Sequence, residues 1–250
     1  MEVLDLQEGE DKVLKTRLPG VNSVNDFKNT VKKLKEETGV PVGVKIAASH
    51  FLERELELFA EAEVDFIAVD GAEAGTHGAS PTAEDDLGLP AIYAIARAGT
   101  YLKSNGLDNK ISLIAGGGLV TPGQFLKAMA LGADAVYIGT AAIMAMVAQQ
   151  VTKVAPQEPP PQLILQTGRA KDKFDIDTGV KSLVNYLSVS RNEMVSIMYA
   201  LGKDSLKKLD QEDLCCSDPF LAKALNLPYA GVSPEKQESY FKDTIAELHH

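Results

Sequence analysis

ISLIAGGGLVTPGQFLKAMALGADAVYIGTAA, from Ile111 to Ala142, reads as strand, glycine turn, helix, strand, glycine turn and helix start. Ile111 to Ala115 is a short apolar run, the signature of a strand covered on both faces. Gly116, Gly117 and Gly118 follow at once. Thr121 then stands at an N-cap position, with Pro122 at the first helical residue. Gly132-Ala133 ends that helix, Asp134 to Ile138 predicts a second strand, and Gly139-Thr140 opens the next helix. Glycine lets a backbone come close to a ligand, and free N–H groups with a helix dipole favour an anion. Two successive βα units ending this way predict a phosphate site at Gly116, Gly117, Gly118, Gly139 and Thr140. The alternative is that the glycines only make tight turns.

Upstream, the same alternation of strand and helix continues. Residues 1–22 are polar and unpatterned and predict a loop or displaced segment. Asn22-Ser23 can cap a helix carrying Val24, Phe27, Val31 and Leu34 at helical spacing, with Gly39 as its stop. Val40 to Ile46 is the first clear strand, with Lys45 near its carboxyl end. A charged side chain on an apolar strand needs a partner or an exit to water, so Lys45 is a candidate functional residue. Leu52 to Ala62 predicts a helix with Leu56 and Phe59 inward, and Asp65 to Val69 the next strand. The loop from Asp70 to Pro90, rich in Gly, Ser, Thr and Asp, follows that strand's carboxyl end, where α/β proteins place ligands. Asp70 either orients a ligand there or accepts bonds from its own loop. His50 and His77 are single histidines on loops, and Glu84, Asp85 and Asp86 read as a solvated acidic face. Ala91 to Ser104 predicts a helix ended by Asn105-Gly106.

Downstream, the helix from Gly139 is expected to reach about Val154, after which Pro156 to Pro161 breaks the chain and Gln162 to Gln166 is extended. Asp177 is expected to cap a long helix burying Val180, Leu183, Val184, Leu187, Met194, Ile197, Met198 and Leu201, with Gly202 at its end. Short capped helices after Asp204 and Ser217 complete a helical extension over 203–230. Residues 231–250 form a loosely attached tail, and the terminal histidines are given no role. Arg169, Lys171 and Lys173 read as surface charges. Four βα units with right-handed parallel connections result. Four strands do not close a barrel, so either the rest lies upstream in a longer protein, another chain supplies it, or the sheet is flat and doubly wound.

Composition narrows the classes. A hydrophobic share of 45% provides a core for 250 residues. The net charge of -10, with no basic stripe, argues against a nucleic-acid partner. No apolar run is long enough to span a membrane, and no signal peptide stands out, so a cytoplasmic location is expected. Cys215 and Cys216 are adjacent, which suits neither a metal site nor a structural disulfide. No metal site is predicted.

KIAASHFLERELELFAEAEVDFIAVDGAEAGTHGASP, followed by LIAGGGLVTPGQFLKAMALGADAVYIGTAAIMA, resembles the FMN-binding synthase domain of the glutamate synthase family. The likeness runs from about Val24 to Pro228 and includes EPPPQLILQTG and ALGKDSLKKLDQEDL. It implies a TIM (β/α)8 barrel of which this chain is the C-terminal half, with the synthase-like domain over residues 23–202. It implies a flavin site in which Lys45 lies near both FMN and the 2-oxoacid, and Gly116, Gly117, Gly118, Gly139 and Thr140 hold the phosphate. Asp70, Gly71, Gly75, Thr76, Gly78 and Ser80 match the family's G-x-x-G-G-T-G-A-S-P loop beside the substrate, except that Ala74 replaces a glycine and His77 is extra. The implied activity is FMN-dependent reductive amination of 2-oxoglutarate to glutamate. The segment TAAIMAMVAQQVTKVAPQEPPP lacks the three cysteines that hold an iron–sulfur cluster in larger members, so no cluster is expected. No glutaminase domain is present. The partners implied are the missing barrel half and, through open sheet edges, other copies in a homo-oligomer.

Two other readings compete with this one. One is a non-catalytic half-barrel assembly module. The other is a different phosphate-binding barrel enzyme, which the length of the resemblance disfavours.

Overall fold

The structure is a computed structural model and describes residues 18–75, 80, 82–83 and 86–247. In chain order the principal elements are α1 (Val24–Thr38), β1 (Gly43–Ala47), α2 (Leu52–Glu61), β2 (Phe66–Asp70), α3 (Ala91–Ser104), β3 (Ser112–Gly116), α4 (Pro122–Ala130), β4 (Ala135–Val136), α5 (Thr140–Val147), α6 (Ile176–Ala200), α7 (Pro219–Leu225) and α8 (Gln237–Glu247). They fall into two compact units. One holds Val40–Ile138 and the chain from Asn192 onward; the other holds the residues up to Gly39 and Gly139–Arg191.

The first unit contains a parallel sheet in the strict order β1-β2-β3-β4. Sequential order with right-handed crossovers puts every connecting helix on the same face. Packing agrees, since α3 lies on β2 and β3 and touches both α2 and α4. This is the winding of a barrel wall and excludes the doubly wound alternative, in which the strand order reverses and helices cover both faces. On the helix side, Ile67 and Val69 of β2 register with Leu113 and Ala115 of β3, and all four are buried. Leu52, Leu56 and Phe59 of α2 are buried too, as are Ala94, Ile95, Ala98 and Leu102 of α3. Fully burying a side chain such as Ile67 or Leu113 contributes about 1.5–3 kcal/mol, so this layer carries the stability of the wall.

Two aspartates fasten the wall at its amino end. Asp65 Oδ2 accepts the Val42 N–H at 2.7 Å, and Asp134 Oδ2 accepts the Leu113 N–H at 2.9 Å. Each aspartate enters its strand from a residue with positive φ nearby, Glu63 in one case and Gly132 in the other. Gly99 and Gly132 let α3 and α4 approach closely, since a Cβ on Gly99 would lie 2.2 Å from the Leu131 carbonyl oxygen.

The helix over 91–104 and the Ser23, Thr121, Gly39 and Gly202 boundaries match the sequence expectations. The strands depart from them in detail. β1 starts at Gly43, leaving Val40 exposed, and β4 holds only two residues in the ladder.

In the second unit, α5 stops at Val147 and continues as a 3₁₀ turn over Ala148–Lys153, so no single helix reaches Val154. The segment 162–166 is not extended. Pro160–Leu163 forms a 3₁₀ turn that buries Leu163 with Val147, Val154 and Ala170. Gln150, almost wholly buried, clamps Asp175 through both backbone groups, donating to its carbonyl and accepting from its N–H. Asp175 rather than Asp177 caps α6, accepting the Thr178 N–H at 2.8 Å. The expected inward face of α6 is also corrected: Val180, Val184, Leu187, Ile197 and Leu201 are exposed. The buried face of its amino half presents Gly179, Ser182 and Ser190 instead, because Phe174 lies where a Cβ on Gly179 would be. Among the described residues no helix is long and apolar enough to cross a membrane.

Candidate functional site

Side chains alternate across a strand, so the face opposite the helices carries Lys45 and Ala47 of β1, Ala68 and Asp70 of β2, Ile114 and Gly116 of β3, and Ala135 of β4. Tyr137, next after β4, continues this face, and its N–H donates to the Ala115 carbonyl at 2.7 Å. The carboxyl-end row across the sheet is therefore Ala47, Asp70, Gly116 and Tyr137. Lys45 reaches up from one row below, and its Nζ donates to Asp70 Oδ2. The lysine side chain keeps 59% of its accessibility and the aspartate 14%, so the ammonium end reaches solvent while the carboxylate is largely covered. Among the described residues Asp70 takes its hydrogen bond from Lys45.

Gly116 makes room for this pair. A Cβ there would lie 2.3 Å from Asp70 Oδ1 and 3.8 Å from Tyr137 Cβ. Gly71 is required for a different reason, since its Cβ would collide with the backbone of Ala91 at the start of α3. Its N–H donates to the Gly116 carbonyl at 2.9 Å, tying the two loops together. Glu73, in the 3₁₀ turn Ala72–Ala74, accepts the Ala91 N–H at 2.8 Å and so occupies the amino end of α3. Gly75 is exposed, and Ser80 accepts the Ala83 N–H at 3.4 Å. Thr76, Gly78 and His77 lie outside the described residues, as do Glu84 and Asp85.

The glycine turn after β3 presents donors. Gly117 and Gly118 have φ of 115° and 64°, a left-handed path open to glycine. Among the described residues the N–H groups of Gly117, Gly118 and Leu119 have no hydrogen-bond partner. The helix that follows does not share in this. Thr121 and Gln124 form a capping box in which Gln124 Oε1 takes the N–H groups of Val120 and Thr121. Any anion here meets the loop's own amides rather than the end of α4.

Gly139 and Thr140 belong to the other unit. Gly139 precedes α5 with no side-chain cap, and nothing lies within 4 Å of where its Cβ would be.

Elsewhere the simpler readings hold. His50 packs edge to face on Phe51 and lends its carbonyl to Arg97. Arg169 pairs with Glu158, and Lys171 and Lys173 donate to backbone carbonyls. Cys215 and Cys216 are free thiols. Sequence reasoning missed Tyr137 and Glu73. The two-residue period of the Asp134–Ile138 run carried a signal for Tyr137, whereas Glu73 is placed by a loop that has no such period.

The arrangement suits a planar anionic ligand. The sheet face presents Ala47 and Ala135 to solvent, whereas Ala68 and Gly116 are buried. Lys45 and Asp70 border it on one side and Tyr137 on the other, with free amides at its end for a phosphate.

Comparison with known proteins follows the same direction. The sequence family described as "Conserved region in glutamate synthase" matches residues 2–204. The archaeal glutamate synthase [NADPH] of Methanocaldococcus jannaschii is 32% identical over 82% of this chain and 40% of its own length. A glutamate synthase large subunit-like protein of Rhizobium meliloti is 28% identical over 92% of this chain and 56% of its own. The chain thus spans about two fifths of its archaeal relative and just over half of the rhizobial one. Among solved structures, a flavocytochrome b2 aligns over 85% of this chain and 43% of its own, at 20% identity and a TM-score of 0.48.

Proposed function

The chain belongs to the glutamate synthase family, and we propose that the open face of its sheet is the C-terminal half of an FMN site serving reductive amination of 2-oxoglutarate. The observation that carries this reading is the Lys45–Asp70 pair standing beside the unpartnered amides of Gly117, Gly118 and Leu119, all at the carboxyl ends of parallel strands. Ligands of parallel α/β sheets bind at that end.

In this role the amides of Gly117, Gly118 and Leu119 hold the cofactor phosphate, and the ring lies beside the Lys45–Asp70 pair. Lys45 places a positive charge where a flavin ring or the 2-oxoacid carboxylate carries negative charge, and Asp70 fixes the lysine's direction. Gly71, Gly75, Thr76, Gly78 and Ser80 form the substrate-side loop. FMN, once reduced by an electron donor, would supply the hydride that converts the imine of 2-oxoglutarate and ammonia into glutamate and would itself be reoxidised; the protein supplies position and charge. No iron–sulfur cluster is expected to take part, because residues 140–161, where larger members carry the three cysteines, hold none.

A second reading, a half-barrel that acts only in assembly, draws on the unpaired outer edges of β1 and β4 among the described residues. An FMN titration of the purified chain, followed by flavin fluorescence with solution mass alongside, separates the two. Saturable binding that Gly117→Val abolishes and Lys45→Met weakens supports the flavin site. A folded, associated chain that leaves flavin fluorescence unchanged refutes it in favour of the assembly module. Phosphate-ester binding that excludes FMN points to a different barrel enzyme.

A further inference from the structure

The loop after β2 and the glycine turn after β3 lie in the same unit of the fold, and short contacts fix their mutual placement. The Gly71 N–H donates to the Gly116 carbonyl at 2.9 Å. A Cβ on Gly117 would lie 3.1 Å from the Gly71 nitrogen and 3.3 Å from Ala91 Cβ, so turn, loop and the start of α3 share one small volume. Ala72 donates to the Leu89 carbonyl at 2.8 Å and Leu89 to the Ala48 carbonyl at 3.0 Å, which ties both ends of the β2 loop to the residue after β1.

Glu73 spans this junction with a single side chain. Its carboxylate accepts the Ala91 N–H at 2.8 Å, a bond that Pro90 at the N-cap of α3 has no side-chain group to make. Its stem lies against the turn, since a Cβ on Gly118 would be 3.1 Å from Glu73 Cβ and 3.4 Å from Cγ. Gly117 and Gly118 both have positive φ, and glycines are the residues with the widest backbone freedom. Donors carried on two successive glycines keep one direction only where a neighbour braces them. Charge alone gives Glu73 no reason to stand here. A carboxylate beside amides that hold a phosphate repels it, and the amino end of α3 offsets only about half a charge.

We propose that Glu73 is a positioning residue: hooked to α3 by its carboxylate, it braces Gly117 and Gly118 with its stem and so aims the amides of Gly117, Gly118 and Leu119 at a phosphate group. The inference rests on the flavin reading of the site and adds to it a residue that sets phosphate affinity without touching the phosphate. The reach of the side chain matters, not its charge. Glutamine has the same length and its amide oxygen accepts the same N–H, whereas aspartate keeps the charge and falls one methylene short.

The test compares the full chain with its Glu73→Gln, Glu73→Asp and Glu73→Ala variants, with circular dichroism to verify that each is folded. FMN and riboflavin, which differ only in the phosphate, are titrated by flavin fluorescence. NMR relaxation of the ligand-free chains gives the order parameters of the Gly117, Gly118 and Leu119 amides. Glu73→Ala and Glu73→Asp should weaken FMN binding about tenfold and riboflavin binding by less than about twofold. In both, the three order parameters should fall from about 0.85 to below about 0.6. Glu73→Gln should keep FMN affinity within about threefold of wild type and the order parameters near about 0.85. Rescue by glutamine but not by aspartate, confined to the ligand that carries the phosphate, is a pattern that general damage to the fold would not give. Order parameters that are the same in Glu73→Ala as in wild type overturn the proposal. So does equal weakening of FMN and riboflavin, or an aspartate variant that binds FMN as wild type does. A wild-type chain that binds no FMN overturns the flavin reading instead, and the order parameters then still decide whether Glu73 braces the turn.

Discussion

Replacing Gly116 by alanine tests the geometry on which the site rests, because the sign of its effect depends on one neighbour. The added Cβ would sit 2.3 Å from Asp70 Oδ1, and the next atoms, Asp70 Cγ and Tyr137 Cβ, are at 3.4 and 3.8 Å. Only the Asp70 carboxylate has to move. Turning it off its rotamer costs about 0.5–1.5 kcal/mol, and losing the largely exposed Lys45 partner removes about 0.2–1 kcal/mol more. Less the gain of about 0.4–1 kcal/mol that alanine makes through the unfolded chain, Gly116→Ala should therefore destabilise the protein by up to about 2 kcal/mol. In an Asp70→Ala background the obstacle is gone. Gly116 does not have positive φ, so alanine then fits the backbone and should stabilise by about 0.4–1 kcal/mol through the unfolded chain. The assay is urea unfolding of the four proteins of the cycle, following the far-ultraviolet circular dichroism at constant m-value. The unfolded-chain gain is common to both backgrounds, so the coupling equals the carboxylate's cost, about 0.7–2.5 kcal/mol, with a change of sign expected. If Gly116→Ala costs the same with and without the Asp70 carboxylate, the placement of Asp70 over Gly116 is wrong, and with it the orientation assigned to Lys45.

Other perturbations test the frame around the site. Gly99→Ala lies in the middle of α3, where helix propensity alone would favour alanine by about 1 kcal/mol. Contact at 2.2 Å with the Leu131 carbonyl oxygen instead predicts a loss of more than about 2 kcal/mol in urea unfolding. Thr121→Ala removes the side-chain half of the α4 capping box and should lower stability by about 1 kcal/mol, with Thr121→Ser retaining most of it. Hydrogen bonds from Arg97 hold the Glu53 carboxyl below its ordinary value, so the pair's contribution is present above about pH 4.3 and fades as pH falls through the lower, folded value. Glu53→Gln should therefore flatten the acid limb of the stability–pH curve while changing little above it; an unchanged acid limb counts against the pair.

What the sequence made legible was whatever depends on local period and local stops. Apolar runs located all four strands, and capping chemistry at Ser23, Thr121 and Gly39 set helix ends to the residue. Contacts distant in the chain were not legible. Lys45 finds Asp70 only because β1 and β2 pair with Ala47 opposite Asp70. The reason for Gly116 emerges only once β2 and β3 are in register with Asp70 opposite it. α6 was misread because periodicity reports which face is apolar, not which face is covered. Gly179, Ser182 and Ser190 are buried for their small size, leaving the valines outside. The prolines of 156–161 correctly marked a break but hid the 3₁₀ turn that follows it.

The composition of the open face bears on whether it serves a ligand or only an assembly. A barrel interior packed as a core is built from layers of bulky, branched side chains, because burial contributes in proportion to apolar area. Here the rows nearest the carboxyl ends hold Ala47, Ala68, Gly116 and Ala135, with Ile114 the one branched residue among them, and their remaining positions carry Lys45, Asp70 and Tyr137. Burying such a surface under further strands gains little apolar contact and takes a charged pair out of water, which is costly unless new partners meet it. A polar ligand reverses the second term, because it supplies groups for the lysine and for the free amides of Gly117, Gly118 and Leu119. Further strands would then add to the outer edges of β1 and β4, which no strand pairs among the described residues, and close the wall around the ligand rather than fill it.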